Sequence, residues 1–225
     1  MEPRKGSGAA PSHPPLIYED AELLIIDKPA GLAVHPGPRT PRSLEDHLPA
    51  LSLGFRRLPQ PAHRLDRDTS GCLVLARNPR ALKQVSALFE AGAAEKTYIA
   101  RLAGEVAGEG VIDAPLRKIS SRDAGWRMVV GPSGAGQGGA KRAVTAWRVL
   151  QSSGGTSLVE FRPQTGRTHQ IRVHAAHALA PIIGDPVYGA GPAERMYLHA
   201  ARIAFPWRGA RQVSAAAPLP PQFGV

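Results

Sequence analysis

A nine-residue stretch, HRLDRDTSG (residues 63–71), holds five charged or titratable side chains and leads directly into the apolar run CLVLA (residues 72–76). This order predicts a functional loop that feeds a buried strand, because catalytic residues tend to lie on loops held by a rigid scaffold. Asp66 lies between Arg64 and Arg67, and neighbouring cations favour the ionised form of a carboxylate. Asp66 is therefore the candidate nucleophile.

The residues alone leave a second interpretation open, in which the same stretch is a solvated turn. Residues 68–70 would then hydrogen-bond their own backbone, and Gly71 would supply a positive φ angle. The rest of the chain has to decide between the two.

The composition indicates a globular protein with a polyanionic partner. The chain has 225 residues, of which 43% are hydrophobic, enough for a core in one or two domains. Lys and Arg number 28 against 18 acidic residues, and the net charge of +10 favours nucleic acid over a membrane as partner. The single cysteine, Cys72, cannot form an internal disulfide, and no segment has the roughly 18 apolar residues that span a bilayer. We therefore expect a soluble, cytoplasmic protein.

The predicted elements favour an α+β fold with a mixed, largely antiparallel sheet flanked by helices. We expect one catalytic domain over residues 15–225, after a disordered leader over residues 1–14 that is rich in Pro, Gly, Ser and Ala. Alternating apolar residues and turn signals predict strands over residues 16–19, 22–26, 95–102, 143–150 and 156–161. Residues 103–139 show many glycines and little periodicity, which predicts irregular structure with a flexible loop at 131–139.

Two helices precede the middle of the chain. Ser43 is the predicted N-cap of a short helix over residues 43–48, with Asp46 reaching back to it. Asn78 and Pro79 are a favourable N-cap and first residue for a second helix that ends at Gly92.

A second stretch, RPQTGRTHQIRVH (residues 162–174), is as dense in functional groups as the first. Gly166 is expected to end a strand and Thr168 to cap a helix. That helix would present His169 and Arg172 on a different face from its buried stripe. The predicted buried stripe is Ile171, Ala175 and residues 178–179.

Three histidines in and after this stretch, at positions 169, 174 and 177, raise a metal site as an alternative. On a helix, positions 169 and 174 point to different faces because they are five residues apart. A metal site is therefore disfavoured.

Both stretches resemble the diagnostic motifs of the RluA-type RNA pseudouridine synthases. HRLDRDTSG matches the catalytic signature, and the opening AELLIIDKPAGLAVHPG (residues 21–37) is similar to that of the family. PQTGRTHQIRVHAAH (residues 163–177), PIIGDPVYG (residues 181–189) and the L-H-A strand at residues 198–200 resemble further family blocks. The resemblance runs from about residue 16 to residue 215, without the small S4-type RNA-binding domain that often precedes this catalytic domain.

The resemblance implies roles for four residues. Asp66 would be the nucleophile, Arg172 would pair with it, and Tyr98, in a K-x-Y-x-A strand, would lie against the target base. Arg64 would fill the space that a flipped uridine leaves. The reaction needs neither cofactor nor metal, and the residues leave open whether Asp66 attacks the ribose or the base.

Further basic side chains, at Arg67, Arg167 and Lys141, are expected to contact RNA phosphate or solvent rather than take part in the chemistry. His169 is also expected to bind RNA. The expected partner is transfer or ribosomal RNA, with a short stem-loop as a sufficient substrate, and the chain is expected to act as a monomer without a membrane or a metal.

Two other classes of protein remain as alternatives. Asp66-Arg67-Asp68-Thr69 superficially has the D-x-D pattern of aspartate-nucleophile phosphatases, but there the first Asp directly follows a buried strand, whereas here the apolar run comes after. A non-catalytic RNA-binding protein would suit the charge but would leave Asp66, Tyr98 and Arg172 without a role.

Overall fold

The computed structural model describes residues 13–37, 40, 42–121, 125–132, 137–189 and 191–224. Most of the predicted leader therefore lies outside the described residues. The strands are β1 (Leu16–Glu19), β2 (Leu23–Lys28), β3 (Gln60–Pro61), β4 (Ser70–Ala76), β5 (Glu95–Leu102), β6 (Glu109–Asp113), β7 (Leu116–Ser121), β8 (Gly125–Val130), β9 (Val144–Ser153), β10 (Thr156–Pro163), β11 (Leu198–Pro206) and β12 (Gln212–Ala216). The α-helices are α1 (Leu48–Leu51), α2 (Pro79–Glu90) and α3 (Gln170–Ala178), with 3-10 turns at Leu44–His47, Gln137–Gly139 and Pro221–Phe223.

One large sheet organises the molecule. Its strands follow the order β1-β2-β4-β11-β5-β10-β9-β6, with β12 paired to β11 and β3 paired to β4. Within the described ranges, the β4–β11 pair is parallel and the other pairs are antiparallel. The predicted α+β class with a mixed, largely antiparallel sheet is confirmed.

Strand β4 is the centre of this sheet, and all seven of its residues are buried. Cys72 and Val74 pack on one face against α2, β11 and β12, while Leu73 and Leu75 pack on the other face against residues 44–51. A strand covered on both faces is expected to be continuously apolar, as the run after Gly71 is.

Gly71 allows β4 to reach β11. It has a φ of +108°, and a Cβ atom at this position would lie 2.3 Å from the carbonyl oxygen of Ala200. Because only glycine fits both the backbone angle and the close approach, the last residue of HRLDRDTSG has to be glycine for β4 to pair with β11.

Both early helices begin as predicted. Ser43 and Asp46 form the capping box of the 3-10 turn, and the Asn78 side chain accepts a hydrogen bond from the Ala81 N–H at 2.9 Å. Two of the predicted strands form the hairpin of β9 and β10, which turns at residues 154–155.

The prediction of irregular structure over residues 103–139 is wrong. Strand β6 extends the large sheet, and β7 and β8 form a separate two-stranded hairpin. The pattern was weak because Leu116 and Met128 are the only buried residues in that hairpin's strands. Part of the predicted loop at 131–139, residues 133–136, lies outside the described residues.

Candidate active site

The first motif is held by side chains that alternate between core and cleft. The His63 Nε2 atom accepts a hydrogen bond from the Val74 N–H at 3.0 Å, and its ring stacks on Phe89. Burial lowers the pKa of His63 to about 3, so this ring stays neutral and structural. Leu65 packs in the core, which leaves Arg64 and Asp66 on the open side of the loop.

A buried lysine of the opening motif (residues 21–37) supports the loop of HRLDRDTSG. Lys28 is fully buried, and its Nζ donates to the carbonyl oxygens of Pro29 at 2.9 Å, Leu32 at 2.7 Å and Arg67 at 3.0 Å. Burial lowers the pKa of Lys28 to about 7, although the charges of Asp68 and Asp66 oppose that shift. Lys28 thus links the opening motif (residues 21–37) to HRLDRDTSG next to the candidate nucleophile Asp66.

The second motif turns through a loop before its helix. Gln170 organises this turn, because its Oε1 accepts from the Thr165 hydroxyl at 2.7 Å and the Arg167 N–H at 3.0 Å. The predicted N-cap Thr168 is wrong: His169 takes that position with a φ of 54° and makes no capping bond through its side chain.

The predicted buried stripe of this helix is also partly wrong. Residues 170–175 are buried on every side because the helix lies between the large sheet and the β7–β8 hairpin, whereas Ala178 is exposed. Val173 packs against Leu116 and Met128 of the hairpin. Arg172 is consequently a buried cation, 4% exposed, and needs partners inside the protein.

Two carboxylates supply those partners. Arg172 donates from Nη1 to Asp66 Oδ2 at 3.1 Å, and from Nε and Nη2 to the two oxygens of Asp185, both at 2.7 Å. Burial alone lowers the pKa of Arg172, but the hydrogen bonds and charges of Asp185 and Asp66 raise it overall. Burial raises the pKa of Asp185, and the Arg172 guanidinium more than reverses that effect. Arg172 therefore stays charged beside Asp66.

Asp66 and Arg172 open onto a cleft of about 610 Å³, its mouth included. Tyr98 lines the same cleft, and burial together with the Asp66 charge raises the pKa of its phenol, so the group is neutral. Lys96 and Arg64 line both this cleft and an adjoining groove beside the C-terminal end of α2. A carboxylate, a neutral phenol and cations around a concave site fit a polyanionic substrate.

Comparison with known proteins agrees with a polyanionic substrate. The family model described as RNA pseudouridylate synthase matches residues 22–177. The chain belongs to this family. It is therefore an RNA pseudouridine synthase, an isomerase that acts on RNA.

Individual relatives agree over most of the chain. An uncharacterized RNA pseudouridine synthase of Zymomonas mobilis is 49% identical, and the alignment covers 92% of this chain and 94% of that protein. Ribosomal large subunit pseudouridine synthase D of Xanthomonas campestris is 40% identical and covers 80% of this chain and 54% of its own. Human RNA pseudouridylate synthase domain containing 1 superposes with a TM-score of 0.79 at 26% identity, covering 98% of this chain and 87% of its own. The chain spans about half to two thirds of the length of several other curated relatives.

The cleft of this synthase collects most of the residues that the sequence singled out. They are Asp66, Tyr98, Arg172, Arg64, Arg167 and His169. Arg67 and Lys141 do not line it: Arg67 pairs with Asp68 at 2.9 Å on another side of the loop, and Lys141 pairs through its backbone with Leu116. These two cations can contact RNA only outside the cleft.

Three contributors to the site were missed from sequence. Asp185 lies in the quoted block PIIGDPVYG, where an acid between a glycine and a proline in an otherwise uncharged block was the available signal. Tyr188 hydrogen-bonds His169 at 2.9 Å, and Trp126 of the hairpin stacks on the same imidazole. Trp126 gave no usable signal because its strand was not recognised.

The three histidines considered for a metal have separate environments. His174 is buried between the Thr145 hydroxyl at 2.8 Å and the Ala114 carbonyl at 2.9 Å, while His177 is exposed at the end of α3. In the part of the chain that the structure describes, no three metal-ligating side chains lie together. Among those residues, no helix combines the length and apolar character needed to cross a bilayer.

Proposed function

We propose that this synthase converts a uridine in structured RNA to pseudouridine with Asp66 as the nucleophile. The observation that carries the proposal is the 3.1 Å bond from Arg172 Nη1 to Asp66 Oδ2 at the floor of the cleft. A carboxylate 18% exposed beside a buried guanidinium is held in place and still reachable.

The reaction breaks the bond between C1′ of the ribose and N1 of uracil and forms a bond between C1′ and C5. The C5 proton is lost to solvent and N1 gains one, so the change is an isomerisation without an oxidant. Asp66 attacks either the ribose or the base, and the neutral Tyr98 phenol lies against the ring while it turns.

The target uridine must leave its stack before Asp66 can reach it, at a cost of a few kcal/mol. Arg64, exposed at the cleft mouth, is placed to stack in the vacated space. Lys96 and Arg167 extend the positive surface along the adjoining groove and would bind the flanking phosphates. Arg67 and Lys141 would add phosphate contacts outside the cleft.

The proposed substrate is a stem-loop of transfer or ribosomal RNA that carries an unpaired uridine, recognised by the chain acting as a monomer in the cytoplasm. A loop uridine is cheaper to flip than one in a duplex, because no pairing is lost. Four relatives named for the ribosomal large subunit support ribosomal RNA as one substrate class.

The phosphatase alternative does not fit the geometry. In such a phosphatase, Asp68 would have to face the same cleft as Asp66. Instead, Asp68 accepts a hydrogen bond from Arg67 at 2.9 Å and lines a different depression with Gly31. A purely RNA-binding protein would have no use for the Asp66–Arg172 pair in a cleft.

The test is tritium release from RNA labelled at C5 of uridine. We expect release by the wild type and by Asp68→Asn, and a loss of about 10⁴-fold or more in Asp66→Asn with RNA affinity nearly unchanged. Release by Asp66→Asn near the wild-type rate would refute the assignment.

The substrate class is tested with the same assay. A hairpin of anticodon-arm size, full-length transfer RNA and large-subunit ribosomal RNA are compared at one salt concentration. We expect the hairpin to react, and modification of assembled ribosomal subunits alone would refute recognition of a local stem-loop.

A further inference from the structure

His169 has a backbone conformation that its residue type rarely adopts. Its φ of 54° lies in the left-handed region, where the Cβ of an L-residue is crowded by the backbone. The side chain is held on several sides: it stacks on Trp126 at 5.1 Å between ring centres, and Nδ1 lies 2.9 Å from the Tyr188 hydroxyl. Local strain compensated by this many contacts indicates that the ring position matters.

The hydrogen-bond directions assign the tautomer of this ring. The Tyr188 oxygen accepts from the Met128 N–H at 2.9 Å, which leaves the Tyr188 O–H free to donate to His169 Nδ1. Burial lowers the pKa of His169, so the imidazole is neutral at physiological pH, although the Asp66 charge opposes that shift. A neutral ring that accepts at Nδ1 carries its proton on Nε2.

The Nε2 atom faces the candidate nucleophile. It lies 3.8 Å from Asp66 Oδ2, the same oxygen that Arg172 holds at 3.1 Å. No hydrogen bond from the described residues reaches the other oxygen, Oδ1. Of these two groups, only Arg172 lies within hydrogen-bond distance of Oδ2, and the His169 Nε2–H faces the same oxygen from farther away.

We propose that His169 is a positioning residue whose Nε2–H, set by Tyr188 and the β7–β8 hairpin, orients the Asp66 carboxylate so that Oδ1 is the reacting oxygen. This inference rests on the proposed function, in which Asp66 is the nucleophile. It replaces simple RNA contact as the principal role of His169. The hairpin thereby contributes to catalysis through Trp126 and the Met128 N–H without touching the reacting atoms.

Two substitutions at this position separate the donor from the backbone strain. His169→Gln keeps an N–H near the place of Nε2, whereas His169→Asn suits the left-handed backbone but is too short to reach Asp66. We expect kcat to fall within about fivefold for Gln and about 10²-fold for Asn, with RNA affinity unchanged in both. His177→Gln, an exposed histidine on the same helix, is the control and should match the wild type.

The outcome separates the possible roles. Equal losses of kcat in the Gln and Asn variants, with normal thermal unfolding, would overturn the inference. A weaker RNA affinity at unchanged kcat would also overturn it and make His169 an RNA contact.

A second measurement does not depend on variants of His169. Nitrogen-15 NMR of the imidazole should show the Nε2–H tautomer in the wild type and a mixture of tautomers in Tyr188→Phe, which lacks the donor. A wild-type Nδ1–H tautomer would refute the hydrogen-bond assignment.

These results can be told apart from failure of the proposed function. If Asp66→Asn is active, Asp66 is not the nucleophile, and His169 then has no nucleophile to position. If Asp66→Asn is inactive but His169→Asn is fully active, only the role of His169 fails.

Discussion

Arg172 holds two carboxylates that are not equivalent. Asp185 is fully buried and accepts two bonds from Arg172 at 2.7 Å and two more from the backbone of Val187 and Tyr188 at 2.8 and 3.0 Å. Asp66 is 18% exposed and accepts a single bond from Arg172 at 3.1 Å. A carboxylate held by four hydrogen bonds anchors the cation, whereas one held by a single bond has a free oxygen that can react.

The largest expected difference between the two is in folding stability. Asp185→Asn should lower the free energy of unfolding by about 3–5 kcal/mol, because it leaves a buried guanidinium without its main counter-charge. Asp66→Asn should change it by less than about 1 kcal/mol, since its pair is partly solvated. Urea unfolding of both variants measures the difference, and equal losses would make the two acids equivalent.

The second expected effect is on turnover and concerns the cleft around Asp66. Arg64 lines the same cleft as Asp66. Arg64→Ala should lower kcat by about 10–50-fold, with a smaller change in RNA affinity, because its proposed role requires the flipped base. Arg67→Ala removes a cation from the same loop outside the cleft and is the matched control. If both variants lose affinity and keep kcat, Arg64 is only a phosphate contact.

The third difference is in the response to acid. Because the pKa of Asp185 is lowered in the folded state, its contribution to stability is present above the unfolded pKa of about 3.9 and is lost as pH falls through the folded value. Unfolding free energies measured from pH 6 to pH 2 should therefore decline below about pH 4. The decline should be shallower in Asp185→Asn than in Asp66→Asn, and identical slopes would contradict the assignment.

The smallest expected effect is that of a chelator. Among the described residues, neither Asp66 nor Asp185 belongs to a metal-ligating cluster. EDTA should therefore leave tritium release unchanged. A loss of activity that magnesium restores, with the RNA shown to stay folded, would give one of these acids a different role.

The sequence predicted the parts of the site that follow a strong local pattern. HRLDRDTSG precedes a fully buried strand, and His63, Leu65 and Gly71 each have one structural task that fixes the loop. The burial of Arg172 could not be predicted from helical periodicity. Helix α3 also packs through Val173 against the separate β7–β8 hairpin, whose own strands bury too few residues to show a pattern. Asp185 was missed for a similar reason, since its contact with Arg172 depends on how the chain after α3 folds back.

The parallel pairing of β4 with β11 has a consequence for the order of folding. Ser70 meets His199 across 129 positions of sequence, and Asp66 meets Arg172 across 106. Contacts this distant require the entropy of a long loop to be lost before they contribute, so they belong to the slow, late part of folding. A nascent chain would carry both motifs of the candidate site before they could meet, and enzymatic activity would be a direct reporter of the completed fold.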